Sequence, residues 1–197
     1  MKGYKGRLIA LEGIDQSGKR TQAQLLAKHL RLRGRPSSIL SFPDYATPLG
    51  RQLKAYLVRK RHFDYHVVHM LYAANRWEKA DEIARYIRQG RFVIVNRYSP
   101  SNLAYGMAHG LKLEWLNSLE EGLPKPQLVF VLDVTPRTSF LRKSQRRDFH
   151  EQNLPYLKSV RRAYYRLAKV YRWRIVDGER ESHRVHADLW KQIERTI

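Results

Sequence analysis

Two glycines and a lysine near the amino terminus have the spacing of a phosphate-binding loop. Gly13 and Gly18 lie five residues apart, and Lys19 directly follows the second glycine. Such glycines let backbone N–H groups surround a phosphate, and the lysine reaches the outer phosphates of a nucleotide. An apolar run at residues 8–11 predicts a strand before the motif, and the apolar spacing of residues 21–30 predicts a helix after it. The sequence therefore predicts nucleotide chemistry at a strand-loop-helix junction.

The residue that follows this lysine departs from the usual motif. Arg20 stands where a serine or threonine normally supplies a hydroxyl to Mg²⁺. The nearest remaining oxygen donors are Glu12, Asp15 and Thr21. They do not form a recognisable metal motif, so the sequence leaves the metal ligands unassigned.

The composition of the chain excludes several classes of chemistry. It has no cysteine among 197 residues, which rules out disulfides, thiolate metal sites and cysteine nucleophiles. Its 38 basic and 18 acidic residues give a formal net charge of +20, which attracts phosphate-rich molecules. The basic residues are dispersed, however, and form no nucleic-acid-binding motif. We therefore expect a surface that steers small substrates and no dedicated nucleic-acid partner, with nucleic-acid binding as the alternative.

The distribution of apolar residues bears on the location of the chain. Its apolar runs are too short to cross a membrane, and the amino terminus has no apolar signal segment. No linker rich in Pro, Gly or Ser divides the sequence. We therefore expect one domain over residues 1–197, cytoplasmic and without a membrane partner.

Short β-rich runs alternate with longer helical segments along the chain. The predicted strands lie near residues 7–12, 38–42, 92–96, 128–133 and 173–176. The predicted helices lie near residues 19–33, 48–58, 66–89, 137–145, 154–171 and 183–196. This alternation predicts a three-layer α/β/α fold in which helices cover both faces of a five-stranded parallel sheet.

Ligands of such sheets bind at the carboxyl ends of the strands. The segments that follow the predicted strands are the phosphate loop and residues 42–45, 96–98 and 177–178. They contain charged and aromatic side chains, so we expect them to converge into one site.

Taken together, these segments resemble the thymidylate kinases, P-loop enzymes that transfer the γ-phosphoryl group of ATP to dTMP. The most specific matches are Ala-Asn-Arg-Trp-Glu at 74–78 and Gly-Leu-Pro-Lys-Pro at 122–126. The other matching segments are residues 11–15 with Gly18 and Lys19, 42–43 with Gly50, 96–98, and 148–151. The resemblance implies ATP as phosphoryl donor, Mg²⁺ as its usual companion, and a homodimer.

The resemblance also implies two sets of binding residues. The ATP set is Gly13, Ile14, Asp15, Gln16, Ser17, Gly18, Lys19, Arg20 and Thr21. The dTMP set is Asp15, Phe42, Tyr72, Arg76, Arg97, Ser101 and Tyr105. Lys19, Asp15 and Arg97 are the implied catalytic residues of these sets.

Family roles fall on individual members of the dTMP set. Arg76 is expected to hold the edge of the thymine, and Tyr72, one helical turn earlier, to stack on the ring. Phe42 is expected to form a wall of the base pocket, with Ser101 and Tyr105 completing it. The alternative is that the aromatic side chains belong to the core and that Arg76 and Arg97 belong to surface ion pairs.

The remaining roles concern the phosphates and the sugar. Arg97 is expected to bind the acceptor phosphate, and Asp15 to accept a hydrogen bond from the 3′-hydroxyl. A mobile lid is expected over residues 142–152. Because Gln16 stands where some members carry Arg, the resemblance implies that Arg146 or Arg147 of the lid neutralises the transferred phosphoryl group.

Three positions differ from the family pattern. Tyr45 replaces an Arg that contacts the acceptor phosphate, Arg20 replaces a hydroxyl, and Asn96 replaces an Asp. The last two changes together remove two metal-handling groups, which puts the need for Mg²⁺ in doubt. The sequence thus leaves open a dTMP kinase, a kinase for another nucleoside or deoxynucleoside monophosphate, a nucleotide-binding protein with reduced catalysis, and a basic P-loop protein that binds nucleic acid.

Overall fold

The apolar runs form a sheet of five parallel strands at the centre of the structure, a computed structural model that describes residues 6–142 and 153–196. The strands are β1 (Arg7–Glu12), β2 (Ser37–Ser41), β3 (Phe92–Asn96), β4 (Leu128–Asp133) and β5 (Arg174–Asp177). Their spatial order is β2-β3-β1-β4-β5, and each neighbouring pair is parallel. The five predicted strands are therefore confirmed, with boundaries shifted by one residue at β2 and β5.

Nine helices surround the sheet within the described residues. They are α1 (Lys19–Leu32), α2 (Pro48–Leu57), α3 (Tyr65–Trp77), α4 (Ala80–Arg88), α5 (Ser99–Ala108), α6 (Leu113–Leu119), α7 (Pro136–Arg142), α8 (Leu154–Tyr171) and α9 (Ser182–Glu194). None of them is long and apolar enough to cross a bilayer.

Helices cover both faces of the sheet, as the alternation predicted. On one face, apolar residues of α1 and α9, such as Leu26 and Leu189, are buried with Ile9 and Phe130 of the strands. The other face is covered by α4, α5 and α8. The three-layer α/β/α fold is confirmed, and the carboxyl ends of the strands meet at one edge.

The predicted helix over residues 66–89 is wrong as a single element. The chain leaves helical geometry at Lys79, which separates α3 from α4. The Lys79 ammonium binds Glu82 Oε2 at 3.1 Å and lies 3.6 Å from Asp44 Oδ2. Asp81 and Glu82 fill the first turn of α4, where carboxylates favour the positive end of a helix. These two acidic residues were the available signal for a new helix.

The sequence prediction also missed α5 and α6. In α5, Pro100, Ser101, Asn102 and Gly106 are all buried, so no apolar stripe reports the helix. A side chain at Gly106 would come within 2.6 Å of two methyl carbons of Leu116, which shows how closely α5 and α6 pack. The missed helix α5 follows β3 directly and carries two of the predicted site residues.

Candidate active site

The loop between β1 and α1 has the curled backbone that its glycines predicted. Gly13 has φ of +126°, and a side chain there would lie 2.4 Å from the carbonyl oxygen of Leu132. Gly18 has φ of +93° and caps α1 without a side chain, which leaves the first N–H groups of that helix exposed to a ligand. The amino end of α1 and its dipole thus face the space above the loop.

Lys19 is held across this loop. Its side chain is buried, and Nζ donates hydrogen bonds to the carbonyl oxygens of Ile14 at 2.7 Å and Gly13 at 3.2 Å. A third bond reaches Ser17 Oγ at 3.1 Å. The amino group is therefore fixed inside the curve of the loop, within reach of a bound phosphate.

Arg97 and Asp15 form an ion pair between the loop and the third strand. Nη2 of Arg97 lies 2.6 Å from Asp15 Oδ1, and Nη1 donates to the carbonyl oxygen of Gly13 at 3.1 Å. The Tyr105 hydroxyl donates to Asp15 Oδ2 at 3.2 Å and accepts from Arg97 Nη2 at 3.0 Å. Burial acts to raise the pKa of Asp15, but the charges of Arg97 and Lys19 lower it to about 2. Asp15 is therefore ionised at neutral pH.

Glu12 organises the turn that presents Arg97. Its carboxylate is fully buried and accepts bonds from the Tyr98 backbone N–H at 2.7 Å, Ser101 Oγ at 2.5 Å and the Tyr164 hydroxyl at 3.0 Å. Burial raises the pKa of Glu12, which these hydrogen bonds partly oppose. The sequence had counted Glu12 among the possible metal ligands. In the structure both carboxylate oxygens accept hydrogen bonds from protein groups, and metal binding by Glu12 stays a prediction.

A cavity of about 90 Å³ opens beside this ion pair. All seven residues of the predicted dTMP set line it. The other lining residues are Pro43, Tyr45, Leu57, His69, Asn102, His109 and Tyr156. The mixture of aromatic walls with a few polar groups suits a small organic ligand.

Arg76 enters this cavity as half of a buried ion pair. The side chains of Arg76 and Glu120 are only 3% and 8% exposed. Nε donates to Glu120 Oε2 at 2.8 Å, and Nη2 donates to Oε1. Asn102 Nδ2 also donates to Glu120 Oε1, at 2.6 Å. These bonds leave the Nη1 group of Arg76 for a ligand and exclude the alternative of a surface ion pair.

The two aromatic residues predicted for the base pocket, Phe42 and Tyr72, differ in burial. Phe42 is 5% exposed and packs against Tyr98 at 5.7 Å between ring centroids, so it is both a core residue and a wall of the cavity. Tyr72 is half-buried and borders the cavity, next to the His69 ring at 5.9 Å. The alternatives of core and pocket therefore do not exclude each other at Phe42.

The lining of the cavity includes a cluster that the sequence did not identify. His109 stacks on Tyr65 at 3.8 Å and on Tyr156 at 4.7 Å between ring centroids. His69, fully buried, contacts Asn102 Oδ1 at 2.6 Å and His109 Nδ1 at 3.1 Å. Burial lowers the pKa of His69 to about 4, so it is neutral at pH 7. No motif signals these residues, because they come from three separate helices.

A second cleft lies on the other side of the phosphate loop. Seven of the nine predicted ATP residues line it, from Asp15 to Thr21. Gly13 and Ile14 do not line it. The side chain of Ile14 is buried in the core, and both residues contribute their carbonyl oxygens to Lys19 instead. Arg97 and Asp15 line both the cleft and the cavity, so the two spaces meet at this ion pair.

The predicted lid falls mostly outside the described residues, and so do Arg146 and Arg147. Arg142, at its start, lines the cleft. Its guanidinium donates to the carbonyl oxygens of Gln16 at 3.2 Å and Gly178 at 2.9 Å. The sequence placed this residue at the start of the expected lid and gave it no separate role.

Several known proteins are similar to this chain over nearly its whole length. A family model described as thymidylate kinase matches residues 11–189. The thymidylate kinase of Danio rerio is 34% identical over 200 residues, which cover 100% of this chain and 94% of that protein. The human enzyme is 33% identical over 192 residues, with coverages of 96% and 90%. A solved structure of thymidylate kinase from Candida albicans has a TM-score of 0.87 and 31% identity, covering 98% of this chain and 92% of that one.

Proposed function

This chain belongs to the thymidylate kinase family, and we propose that it transfers the γ-phosphoryl group of ATP to dTMP, giving dTDP and ADP. The observation that carries this proposal is the junction at Arg97 and Asp15. A cavity that suits a nucleoside lies on one side of the pair, and a phosphate loop lies on the other. In-line transfer requires donor and acceptor phosphates to meet at one point, and this pair marks it.

On the acceptor side, we propose that the cavity holds the nucleoside of dTMP. Tyr72 stacks on the thymine, and the Nη1 group of Arg76 donates to its edge. Glu120 supports this role because it holds the guanidinium in one orientation through two bonds. The ionised Asp15 accepts a hydrogen bond from the 3′-hydroxyl, and Arg97 binds the acceptor phosphate with its planar fork. Phe42, Ser101 and Tyr105 complete the walls.

On the donor side, we propose that residues 13–21 surround the phosphates of ATP. Lys19 binds the outer phosphates, and the exposed N–H groups of α1 stabilise their charge. Arg142 borders the same cleft and lies near the donor nucleotide. Arg146 or Arg147 supplies further positive charge to the phosphoryl group during transfer.

We propose that residues 1–197 act as one cytoplasmic catalytic domain that forms a homodimer. Val67, Met70 and Trp77 recur along α3 and are 37%, 44% and 47% exposed. Their spacing gives one apolar face of this helix, and such a face is favourably covered by a second copy. The net charge of +20 then serves to attract nucleotides, without a dedicated nucleic-acid partner.

The proposed reaction is tested by product analysis. The purified chain is incubated with ATP and, separately, with dTMP, dUMP, dCMP, dGMP, dAMP or UMP, and the products are separated by chromatography. We expect dTDP to form with the highest kcat/KM. Arg97→Lys should lower that value by about tenfold or more because lysine lacks the planar fork. Arg88→Lys, an exposed change on α4, is the matched control and should have no effect. Absence of dTDP, or preference for another nucleotide, would contradict the proposal.

A further inference from the structure

The cleft beside the phosphate loop is strongly basic. Five cationic side chains line it, namely Lys19, Arg20, Arg97, Arg142 and Arg180. Within the described part of the chain, Asp15 is the one carboxylate residue in this lining. Arg180 is paired with Asp177 and Asp188, and the other four cations against Asp15 still favour a polyanion over a free divalent cation.

The carboxylates near the loop are already engaged. Asp15 is paired with Arg97 at 2.6 Å. Glu12 is buried and accepts three bonds from Tyr98, Ser101 and Tyr164. Mg²⁺ in phosphoryl-transfer sites is usually held by one or two carboxylates together with phosphates and waters. A metal at either carboxylate would compete with these protein donors.

The two positions that would complete a magnesium site carry the wrong groups. Arg20 occupies the hydroxyl position of the loop, and a guanidinium has no oxygen to offer. Asn96 lies at the end of β3, and its buried Oδ1 has no hydrogen-bond partner among the described residues. It contributes a neutral amide oxygen instead of a negative charge. The residues around the loop therefore do not fit a tightly held Mg²⁺.

Arg20 is positioned to act on phosphate instead. It lies in the first turn of α1, exposed, and makes no hydrogen bond or ion pair with residues 6–142 or 153–196. Arg142 donates to the backbone carbonyl groups of Gln16, Gly178 and Glu179, and its charge helps to lower the pKa of the Glu179 carboxyl. A guanidinium binds phosphate oxygens through two parallel hydrogen bonds. A triphosphate without metal carries two more negative charges than its complex with a divalent ion, and these cations offset that difference.

We infer that the donor cleft binds ATP without a divalent cation, with the Arg20 guanidinium on the phosphates where the metal-binding hydroxyl of the loop normally lies. This inference rests on the proposed use of ATP as donor. It goes beyond that proposal in two ways: ATP is bound free of a divalent cation, and Arg20 binds its phosphates.

Calorimetry of ATP binding tests the inference directly. ATP is titrated into the full chain in EDTA and, separately, in excess Mg²⁺, at one salt concentration. We expect the two Kd values for the unaltered chain to agree within about threefold, since the cations replace the ion's charge. Arg20→Ser should weaken binding in EDTA by about tenfold, the loss expected for a hydrogen-bonded charge at an exposed site. The same variant should bind ATP with Mg²⁺ within about threefold of the unaltered chain, because it restores the hydroxyl.

Two further variants control for fold and for general charge. Arg31→Ser removes an exposed charge from the far end of α1 and should change neither Kd. Arg20→Lys retains the charge, so it should retain most of the binding in EDTA. Circular dichroism melts of each variant verify that the fold persists.

The possible failures can be told apart by measuring dTDP formation in parallel. If the chain forms dTDP with Mg²⁺ but binds ATP more than tenfold more weakly in EDTA, the inference is wrong and the proposed function stands. Equal losses in Arg20→Ser and Arg31→Ser would overturn it as well. If ATP binds in EDTA but no dTDP forms under any condition, the inference stands and the proposed function fails. Absence of ATP binding in both media would overturn both.

Discussion

The buried pair of Arg76 and Glu120 makes a sharp prediction about stability. Its side chains are 3% and 8% exposed, and two bonds join them. Removing one partner leaves an uncompensated charge in the interior, which costs about 3–5 kcal/mol. We therefore expect Arg76→Met and Glu120→Gln each to lower the free energy of unfolding by that amount. Glu120→Gln retains a hydrogen-bond acceptor for Asn102, so the stability lost in this variant is due mainly to the missing charge.

The double variant separates the ion pair from simple loss of packing. With both charges removed, no isolated charge remains in the interior. The double variant should therefore lose about 1–3 kcal/mol less stability than the sum of the losses in the two single variants. Urea unfolding followed by circular dichroism gives the midpoint and slope for each variant. The exposed pair of Arg33 and Glu194, 56% and 52% exposed at 3.6 Å, is the control. Arg33→Met should cost no more than about 1 kcal/mol.

The same variants test the proposed role of Arg76 in binding. Glu120→Gln keeps the guanidinium but loosens its orientation, so the KM for dTMP should rise while the KM for ATP stays unchanged. Additive costs within about 0.5 kcal/mol would refute the buried pair as a coupled unit. An unchanged KM for dTMP in both Arg76→Met and Glu120→Gln would refute the base contact.

Three other predictions follow from the structure. Lys19→Ala should abolish dTDP formation while the far-UV circular dichroism spectrum persists, because phosphate charge stabilisation is lost; Lys28→Ala, exposed on the same helix, should retain activity, and an active Lys19→Ala variant would contradict the role. The pKa of His69 is about 4 in the folded chain and 6.5 when the ring is exposed, so the unfolded chain binds a proton at His69 at a higher pH than the folded chain does. About 3 kcal/mol of the free energy of unfolding should therefore be lost as the pH falls from 6.5 to 4. Urea unfolding at several pH values should show this loss, and His69→Asn should reduce it. Met70→Lys should convert a dimer to a monomer in sedimentation, whereas Leu141→Lys, 74% exposed elsewhere, should not; identical behaviour would argue against the α3 face as the interface.

Elements with a strong period could be predicted from the sequence, and elements without one could not. Strands such as β1 are buried on both faces and read as continuous apolar runs. In α1 the apolar residues recur on one face, so its limits were predicted to within one residue. By contrast, α5 buries serine, proline and asparagine, because polar partners inside the protein satisfy them. Those partners are distant in sequence, so no local pattern reports the helix.

The predicted dTMP residues, which line the cavity together, were chosen from motifs and family resemblance, but their ion pairs were not predicted. Arg97 and Asp15 lie 82 residues apart, and Arg76 and Glu120 lie 44 apart, so spacing gives no information about either pair. The sequence treated a ligand contact and an ion pair as alternatives for these arginines. In the structure each guanidinium is paired with a carboxylate and also lines the cavity.

Pairing prepares these arginines for a ligand, since it fixes each guanidinium before any substrate arrives. A free arginine would lose rotamer freedom on binding, whereas Arg97 is already held by Asp15, Gly13 and Tyr105. The pair also keeps Asp15 ionised, because the nearby positive charges lower its pKa to about 2. An ionised carboxylate can accept a hydrogen bond from the 3′-hydroxyl of a deoxynucleotide across the whole physiological pH range. One contact between the end of β3 and the phosphate loop thus sets both the position of the arginine proposed to bind phosphate and the protonation state of the acid proposed to bind the sugar.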